Sequence, residues 1–571
     1  MPAHMSRARR PCAALLLAAC FLSPAAQARK RPAPAPVPAP DAVALVDDVH
    51  GLTVDGEGHV TRFTGLVLTR EGRVQRLLGP DDKRPERPDW RADLHGRVLL
   101  PGFVDAHVHW MDTGFRALQL DLSGAKNLGE AVAAVRAYAE AHPDLKVIGG
   151  GGWNQESWGL GHFPTAADLD AAVPDRPVVL TRIDSHAAWL NSAALKLAGI
   201  TAATPSPPGG RIEKAGGKPT GIVTDAARLN VMAALPQPRA VDRDAAFRRA
   251  QGMFLAQGIT AADDMRTTLA DWLTFRRAGD TGSLRMRLLA YADSIETANL
   301  TAGKGPSPWL YGGQLKLGGV KVFADGALGS RGACLLAPYA DRPGESGQCF
   351  HTDAQLQNLM SRAAMDGFQV AVHAIGDRAN RQVLDAVDVL AQTYGGDRRW
   401  RIEHAQVVAP ADLPRFGSHG IVASMQPSHQ VSDRLMAEAR LGPDRLAGAY
   451  AWASMLKAGS PLAFGSDAPN DDFSPFHGWA DAITRQGADG EPAGGWQPQE
   501  RVTREQAWWA YTGGAAHAGF EEGEFGSLKP GQWADSVVVD GDPMAASPAA
   551  LRGIKVEETW VGGRKVWSAG K

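Results

Sequence analysis

His107 and His109 are one residue apart in the run Pro101-Gly102-Phe103-Val104-Asp105-Ala106-His107-Val108-His109. On a β-strand, residues two apart project from the same face. The two imidazoles therefore stand side by side at the end of an apolar strand and make half of a metal site. Lys321, His373, His404 and Asp467 each lie at or near the end of another short apolar run that reads as a strand. One such histidine alone is ordinarily a hydrogen-bonded core residue. Six ligand-type side chains at successive strand ends are better explained by convergence on divalent metal that activates water, the chemistry of a metallohydrolase. Neutral imidazole and carboxylate suit a borderline ion such as Zn²⁺. Asp467 carries the heaviest chemical load. A carboxylate at the last strand end can accept the proton of an activated water and pass it to a leaving amine. The competing reading of Ser466-Asp467-Ala468-Pro469 is a helix N-cap.

The elements that must position these groups alternate between strand-like and helix-like segments, the mark of parallel βα architecture. Eight buried-strand candidates lie at 103–109, 258–264, 284–291, 319–325, 368–373, 401–405, 421–426 and 462–467. Eight such units imply an α/β fold closed as a TIM-like (β/α)8 barrel, with chemistry at the strand C-termini. The interval after the first strand is far too long for one helix and its loops. It holds its own strand candidate at 177–182 and a Gly/Pro-rich stretch at 205–221, and reads as an inserted lid or specificity subdomain at about 145–240. The two chain ends, 43–98 and 522–571, are β-rich and expected to form one small composite β-sandwich, which leaves 99–521 to the barrel.

The 571 residues are 44% hydrophobic and 21% charged, with a formal net charge of −2. Dispersed, balanced charge gives no nucleic-acid signal and points to a small-molecule substrate. Residues 1–28 read as a signal peptide: Arg7, Arg9 and Arg10, then an apolar run too short to span a bilayer, then Ala26-Gln27-Ala28. A lipobox reading of Leu17-Ala18-Ala19-Cys20 competes and would leave a lipid anchor on Cys20. Either route exports the chain, as a periplasmic or secreted protein or as a membrane-anchored lipoprotein. Residues 29–42 are a proline-rich tether. Of the four cysteines, Cys334 and Cys349 survive processing; a disulfide and two buried thiols both stay open.

These residues resemble the amidohydrolase superfamily, in the branch that includes N-substituted formamide deformylase. The resemblance runs through the 101–109 motif, the stretch from Lys321 to Arg331, His373-Ala374-Ile375-Gly376-Asp377, Glu403-His404-Ala405, Gly465-Ser466-Asp467-Ala468-Pro469 and residues 526–535, and covers nearly all of the chain from residue 43. It implies that His107, His109 and Asp467 hold one Zn²⁺ and His373 and His404 a second. It also implies that Lys321, which as an ammonium cannot bind a cation, bridges both as a carbamate. The alternative is a plain lysine cation paired with Asp325 or another acid, with a single metal.

The resemblance also places His186 over the metals as a catalytic group that polarises a carbonyl; a capped helix start is the other reading. Arg331 could bind a carboxylate or oxyanion through its planar fork, or pair with an acid. His429 is a further candidate at the pocket mouth, and Trp110, Trp153 and Trp158 are candidates for an aromatic wall. The expected reaction is hydrolysis of a C–N bond in an amide, formamide or cyclic amide. A single-metal deaminase of a heterocyclic amidine competes, although no Glu follows His373 closely. A non-catalytic periplasmic binding protein would be expected to lack ligands, and none of the six is missing.

Overall fold

The computed structural model describes residues 44–570. The expected signal peptide, the tether and Cys20 lie outside those residues.

Eight parallel strands hydrogen-bond in chain order: Phe103–Val108, Ile259–Thr267, Arg287–Ala292, Leu315–Phe323, Gln369–Ala374, Arg401–His404, Val422–Met425 and Leu462–Phe464. The sheet closes where the last strand runs into the first. Val108 and Ala468 form a parallel bridge. His109 N donates to Ala468 O at 2.8 Å, and Asp467 N donates to His107 O at 2.7 Å. The expected (β/α)8 barrel is present, and its strands overlap the eight apolar runs. Every residue of the first, third and fifth strands is buried, as parallel strands covered on both faces require. Because all eight run the same way, their C-terminal ends share one rim. The pairings Phe323–His373 and Ala374–His404 keep neighbouring ligand candidates at similar height.

Between the first and second barrel strands lies a separate six-stranded sheet: Leu120–Asp121, Ile148–Trp153, Val178–Arg182, Ala187–Leu190, Gly210–Ala215 and Lys218–Thr224. It begins well before the boundary near 145 read from the sequence. Leu120, Leu122 and the helical Ala131, Val135 and Ala139 share a core with Ile148, Leu180 and Trp189, so this earlier segment belongs to the insertion. A two-residue strand leaves no period-two pattern to read.

The chain ends meet in one seven-stranded sheet, ordered Arg564–Ser568, Val556–Val561, Ser536–Val539, Trp90–Pro101, Ala44–Val54, Val60–Leu68 and Val74–Leu78. The composite β-unit expected from the two chain ends is present, built from one sheet that curls back on itself. Ala534 N donates to Gly72 O and Val74 N to Gln532 O, which ties the approach to Ser536 to the opposite edge around Leu66, Val74, Leu99, Leu528 and Trp560. The last hairpin turns at Gly562-Gly563, both at positive φ, as a type I′ turn demands. This sheet docks on the barrel through the buried pair Arg287–Asp535, at 2.5 Å.

Candidate metal centre

The barrel rim gathers the six side chains singled out by type and spacing. His107 is wholly buried in the first strand, and His109 follows as the N-cap of helix Trp110–Arg116. Their ring centroids are 5.4 Å apart. The His404 ring lies 4.7 Å from those of both His107 and His373. Lys321 Nζ is 3.3 Å from His107 Nε2. Asp467 Oδ1 is 3.1 Å from His109 Nε2 and 3.4 Å from His107 Nε2.

Local backbone makes this possible. His404, Ala405 and Asp467 have φ of 76°, 41° and 58°, left-handed conformations that cost a non-glycine residue roughly 1–3 kcal/mol each. The turn at His404 lets it and its neighbour Glu403 both reach His107. Asp105 holds Asp467 in place from the first strand: its carboxyl accepts from Ser466 N at 2.9 Å and from Ser466 Oγ at 2.6 Å. Burial pushes that carboxyl up to about 7.

The hydrogen bonds decide which ring nitrogens face inward. Carboxylate and carbonyl oxygens only accept, so each imidazole nitrogen bonded to one must carry the proton. His107 Nδ1 donates to Glu403 Oε2 at 2.7 Å, and His109 Nδ1 to Met265 O at 2.7 Å. His404 Nδ1 donates to Gln426 Oε1 at 2.8 Å. All three rings therefore turn Nε2 into the site. Burial, with the charge of Lys321 nearby, lowers His107 to about 4 and keeps it neutral. Burial raises Glu403, but Arg401 and the His107 bond outweigh it and hold the carboxylate well below its usual range. Asp467 Oδ1 is buried and receives no hydrogen bond among the described residues. His107 Nε2, His109 Nε2 and the unbonded Asp467 Oδ1 thus converge within 3.1–3.4 Å beside Lys321 Nζ, a set of nitrogen and oxygen donors that fits a divalent ion.

Lys321 lies at this centre without an ion pair among the described residues, over the face of Phe323. Burial lowers its pKa to about 8. The alternative pairing with Asp325 is not formed. Asp325 instead accepts from the backbone N–H groups of Cys334, Ile375 and Gly376 at 2.8–3.0 Å. His373 Nε2 is buried without a hydrogen bond, 3.5 Å from Asp325 Oδ1.

A model of the amidohydrolase family matches residues 92–567. The chain belongs to the amidohydrolase family. It is 34% identical to YtcJ of Bacillus subtilis (strain 168), over 88% of this chain and 94% of that one. It is 28% identical to the N-substituted formamide deformylase of Arthrobacter pascens, over 87% and 94%. The crystal structure of an uncharacterised metal-dependent hydrolase from Pyrococcus horikoshii OT3 superposes with a TM-score of 0.71 at 25% identity, covering 88% of this chain and 99% of that one.

The rim of this amidohydrolase opens into a cavity of about 890 Å³ whose walls include His186, His373, His404, His429 and Asp467. His186 comes from the insertion, in the turn between Val178–Arg182 and Ala187–Leu190, not from a helix start. Its ring is 5.2 Å from that of His373, and its Nδ1 is 2.7 Å from Asp225 Oδ1. Burial lowers its pKa, but the bond and charge of Asp225 prevail and raise it on balance. Arg331 is not brought to the centre. Its guanidinium pairs with Asp341 at 2.8 Å, and it is absent from the described residues that line the cavity. The arginines on the cavity wall are Arg116, Arg182 and Arg249. The three tryptophans form no wall either. Trp110 stacks on Phe247, and Trp153 and Trp158 pack with Trp189 in the core of the insertion. Cys334 and Cys349 form a disulfide that closes the loop following the cavity residues Ala327, Leu328 and Gly329.

Glu403, Gln426, Asp105 and Asp225 were not assigned roles from the sequence. Arg401 and Glu403, two apart on one short buried strand, carried a signal: charges that share the inward face of a barrel strand must have partners there.

Proposed function

We propose that this amidohydrolase hydrolyses the C–N bond of an amide, formamide or cyclic amide in a small molecule. The observation that carries the reading is the convergence of His107 Nε2, His109 Nε2 and the unbonded Asp467 Oδ1 at the floor of a substrate-sized cavity. Divalent cations held by these side chains, zinc being the best match to the donor set, would acidify a water and polarise a carbonyl. Asp467 Oδ1 is the base that takes the water's proton and returns it to the leaving nitrogen, while Asn470 holds its other oxygen at 3.0 Å. His186, with Nδ1 bonded to Asp225 and its protonated form favoured, offers an Nε2–H to the carbonyl oxygen and stabilises the charge that develops there. Lys321, buried beside His107, would after carbamylation by CO₂ offer carboxylate oxygens to the cations in place of its ammonium. The formamide deformylase of Arthrobacter pascens makes formamides the first substrates to try. The N-terminal segment supports export, as a soluble protein or anchored at Cys20, and the disulfide suits an oxidising compartment.

The test is to load the purified chain with Zn²⁺ and follow amine release from N-formyl, N-acyl and cyclic-amide compounds. At least one class should turn over, and Asp467→Asn should lower its rate by about 10²–10⁴-fold. Metal-loaded protein that hydrolyses none of the three classes would refute the reading.

A further inference from the structure

Two arginines beside the candidate metal centre, Arg228 and Arg266, have no hydrogen-bond or ion-pair partner among the described residues. We propose that they bind a carboxylate carried by the substrate, so that the amides hydrolysed at this site are anionic, as N-formyl and N-acyl amino acids are. The inference rests on the amidohydrolase reading and names the substrate class within it.

The first support is how Arg266 is presented. It lies at the C-terminal end of the second barrel strand, Ile259–Thr267, between Met265, which pairs with Tyr291, and Thr267, which pairs with Ala292. Arg266 is therefore the extra residue of a β-bulge, and its φ is 82°. A bulge of this kind re-aims a side chain next to an active site, and a residue with a Cβ takes this left-handed backbone only against strain. The carbonyl just before it, Met265 O, accepts the Nδ1 proton of His109 at 2.7 Å, so the bulge abuts the centre.

The second support is Arg228. It belongs to helix Asp225–Ala234 of the insertion, three residues after Asp225, so the two share a face. Asp225 is the residue that holds His186 at the cavity. Arg228 is only 8% exposed, yet none of its nitrogens is sealed away from solvent. A buried guanidinium ordinarily has an acceptor. Burial, and then the charge of Arg266, lowers Arg228 to about 10, so both arginines stay charged at neutral pH and repel each other. Two neighbouring guanidiniums that lack an acceptor are an anion site by their chemistry.

The third support is what shares the recess. Asp112 lies three residues after His109 on helix Trp110–Arg116 and is exposed. Burial by the surrounding protein would raise its pKa, but the charges of Arg266, His109 and Arg228 prevail and lower it. The other acids near Arg228, Asp184 and Asp225, are held by Arg182 and His186. Asp112 alone therefore stands against two guanidiniums. The positive charge left over suits a monoanionic carboxylate better than a dianionic phosphate. Arg116, a turn beyond Asp112, and His186 both line the main cavity, whereas Arg228 and Arg266 are not among its described walls. The carboxylate thus lies beside the first two strands, and the rest of the substrate is left to the cavity of about 890 Å³.

The experiment pairs each acid with its neutral counterpart. Zinc-loaded wild type, Arg228→Met, Arg266→Met and Arg228→Lys are given N-formyl-leucine and N-formyl-leucinamide, then N-acetyl-leucine and N-acetyl-leucinamide. Isothermal titration with N-methanesulfonyl-leucine and its carboxamide, which present no scissile carbonyl on nitrogen at that position, reads binding apart from turnover. Elemental analysis and circular dichroism check metal content and folding. The proposal expects wild type to prefer the acid by about 10–100-fold, in kcat/KM and in affinity. Each methionine variant should lose that preference, mainly through KM, while kcat/KM for the amide changes by less than about threefold, and Arg228→Lys should regain part of it. Equal use or equal binding of acid and amide by wild type, or an Arg228→Met variant that lowers both alike, would overturn the proposal while leaving the amidohydrolase reading intact. A chain that hydrolyses none of the amide classes above, yet binds the sulfonyl acid through Arg228 and Arg266, would overturn the hydrolytic reading and keep the anion site. A chain that neither hydrolyses those amides nor binds either sulfonyl compound would overturn both.

Discussion

Glu403 shows how much of this centre lies behind the atoms that would touch metal. Its carboxylate accepts the Nδ1 proton of His107, and its other oxygen accepts from Arg401 Nε at 2.8 Å. Arg401, wholly buried, also donates to Asp263 at 2.6 Å, to Tyr291 Oη at 2.9 Å and to Ala106 O at 2.7 Å. The chain Asp263–Arg401–Glu403–His107 therefore fixes the tautomer and orientation of one ligand from inside the barrel. A carboxylate behind a ligating histidine also raises its basicity. Glu403→Gln keeps the shape and removes the charge. It should weaken the tightest-bound Zn²⁺ by about 10–100-fold, read by competition with a chromophoric chelator. Folding should also suffer, because Arg401 would keep only Asp263 as a charged partner inside the barrel. An unchanged zinc affinity would show that Glu403 only balances Arg401.

At the scale of elements, the loop after the eighth strand carries Asp467, Asn470, Asp471 and Asp472 along the cavity wall. It is tied to the next helix, Pro475–Thr484, by His477, whose Nδ1 donates to Asp472. That bond raises the pKa of His477 against the opposing effect of burial. A histidine raised in the folded state contributes stability that is complete below its unfolded value of 6.5 and lost as pH rises through the folded value. Asp472, whose burial is outweighed by the same bond, is lowered, so its share is lost only in acid. The His477 side chain is 41% exposed, and water screening limits the pair to about 0.5 kcal/mol. His477→Gln should thus lower the Tm slightly at about pH 6 and not at about pH 9, seen by calorimetry across pH. A deficit that grows with pH would contradict the assignment. Such ties were not legible beforehand, whereas the strand ends were. His107 and His109 announce a shared face through the period of two, and Lys321, His373 and Asp467 follow apolar runs of strand length. Arg331 had no comparable pattern, and its pairing with Asp341 depends on how the disulfide-closed loop folds. The insertion's early start at Leu120 was hidden because two strand residues and the glycine run Gly149–Gly152 carry no alternation to read.

At the scale of the whole molecule, the proposed metal ligands coincide with the seam that closes the barrel. Seven of the eight strand junctions are hydrogen-bonded ladders, some with a bulge. The eighth is thin: one bridge between Val108 and Ala468, the backbone bonds flanking it, and the grip of Asp105 on Ser466. His107 and His109 stand on one side of this seam and Asp467 on the other, so an ion shared among them would staple the first strand to the last. Binding to the folded state alone stabilises by about 2.7 kcal/mol at a free ion concentration 100 times the Kd, and the location of that gain is testable. Removing metal with a chelator should raise amide hydrogen exchange most at residues 103–109 and 462–470. The third strand, Arg287–Ala292, two strands removed from the closure and held at its base by Arg287–Asp535, should change little. Re-addition of Zn²⁺ should restore protection at the seam. Equal loosening of all eight strands, or none at the seam, would mean that closure is set by the backbone alone and that the ions contribute only to chemistry.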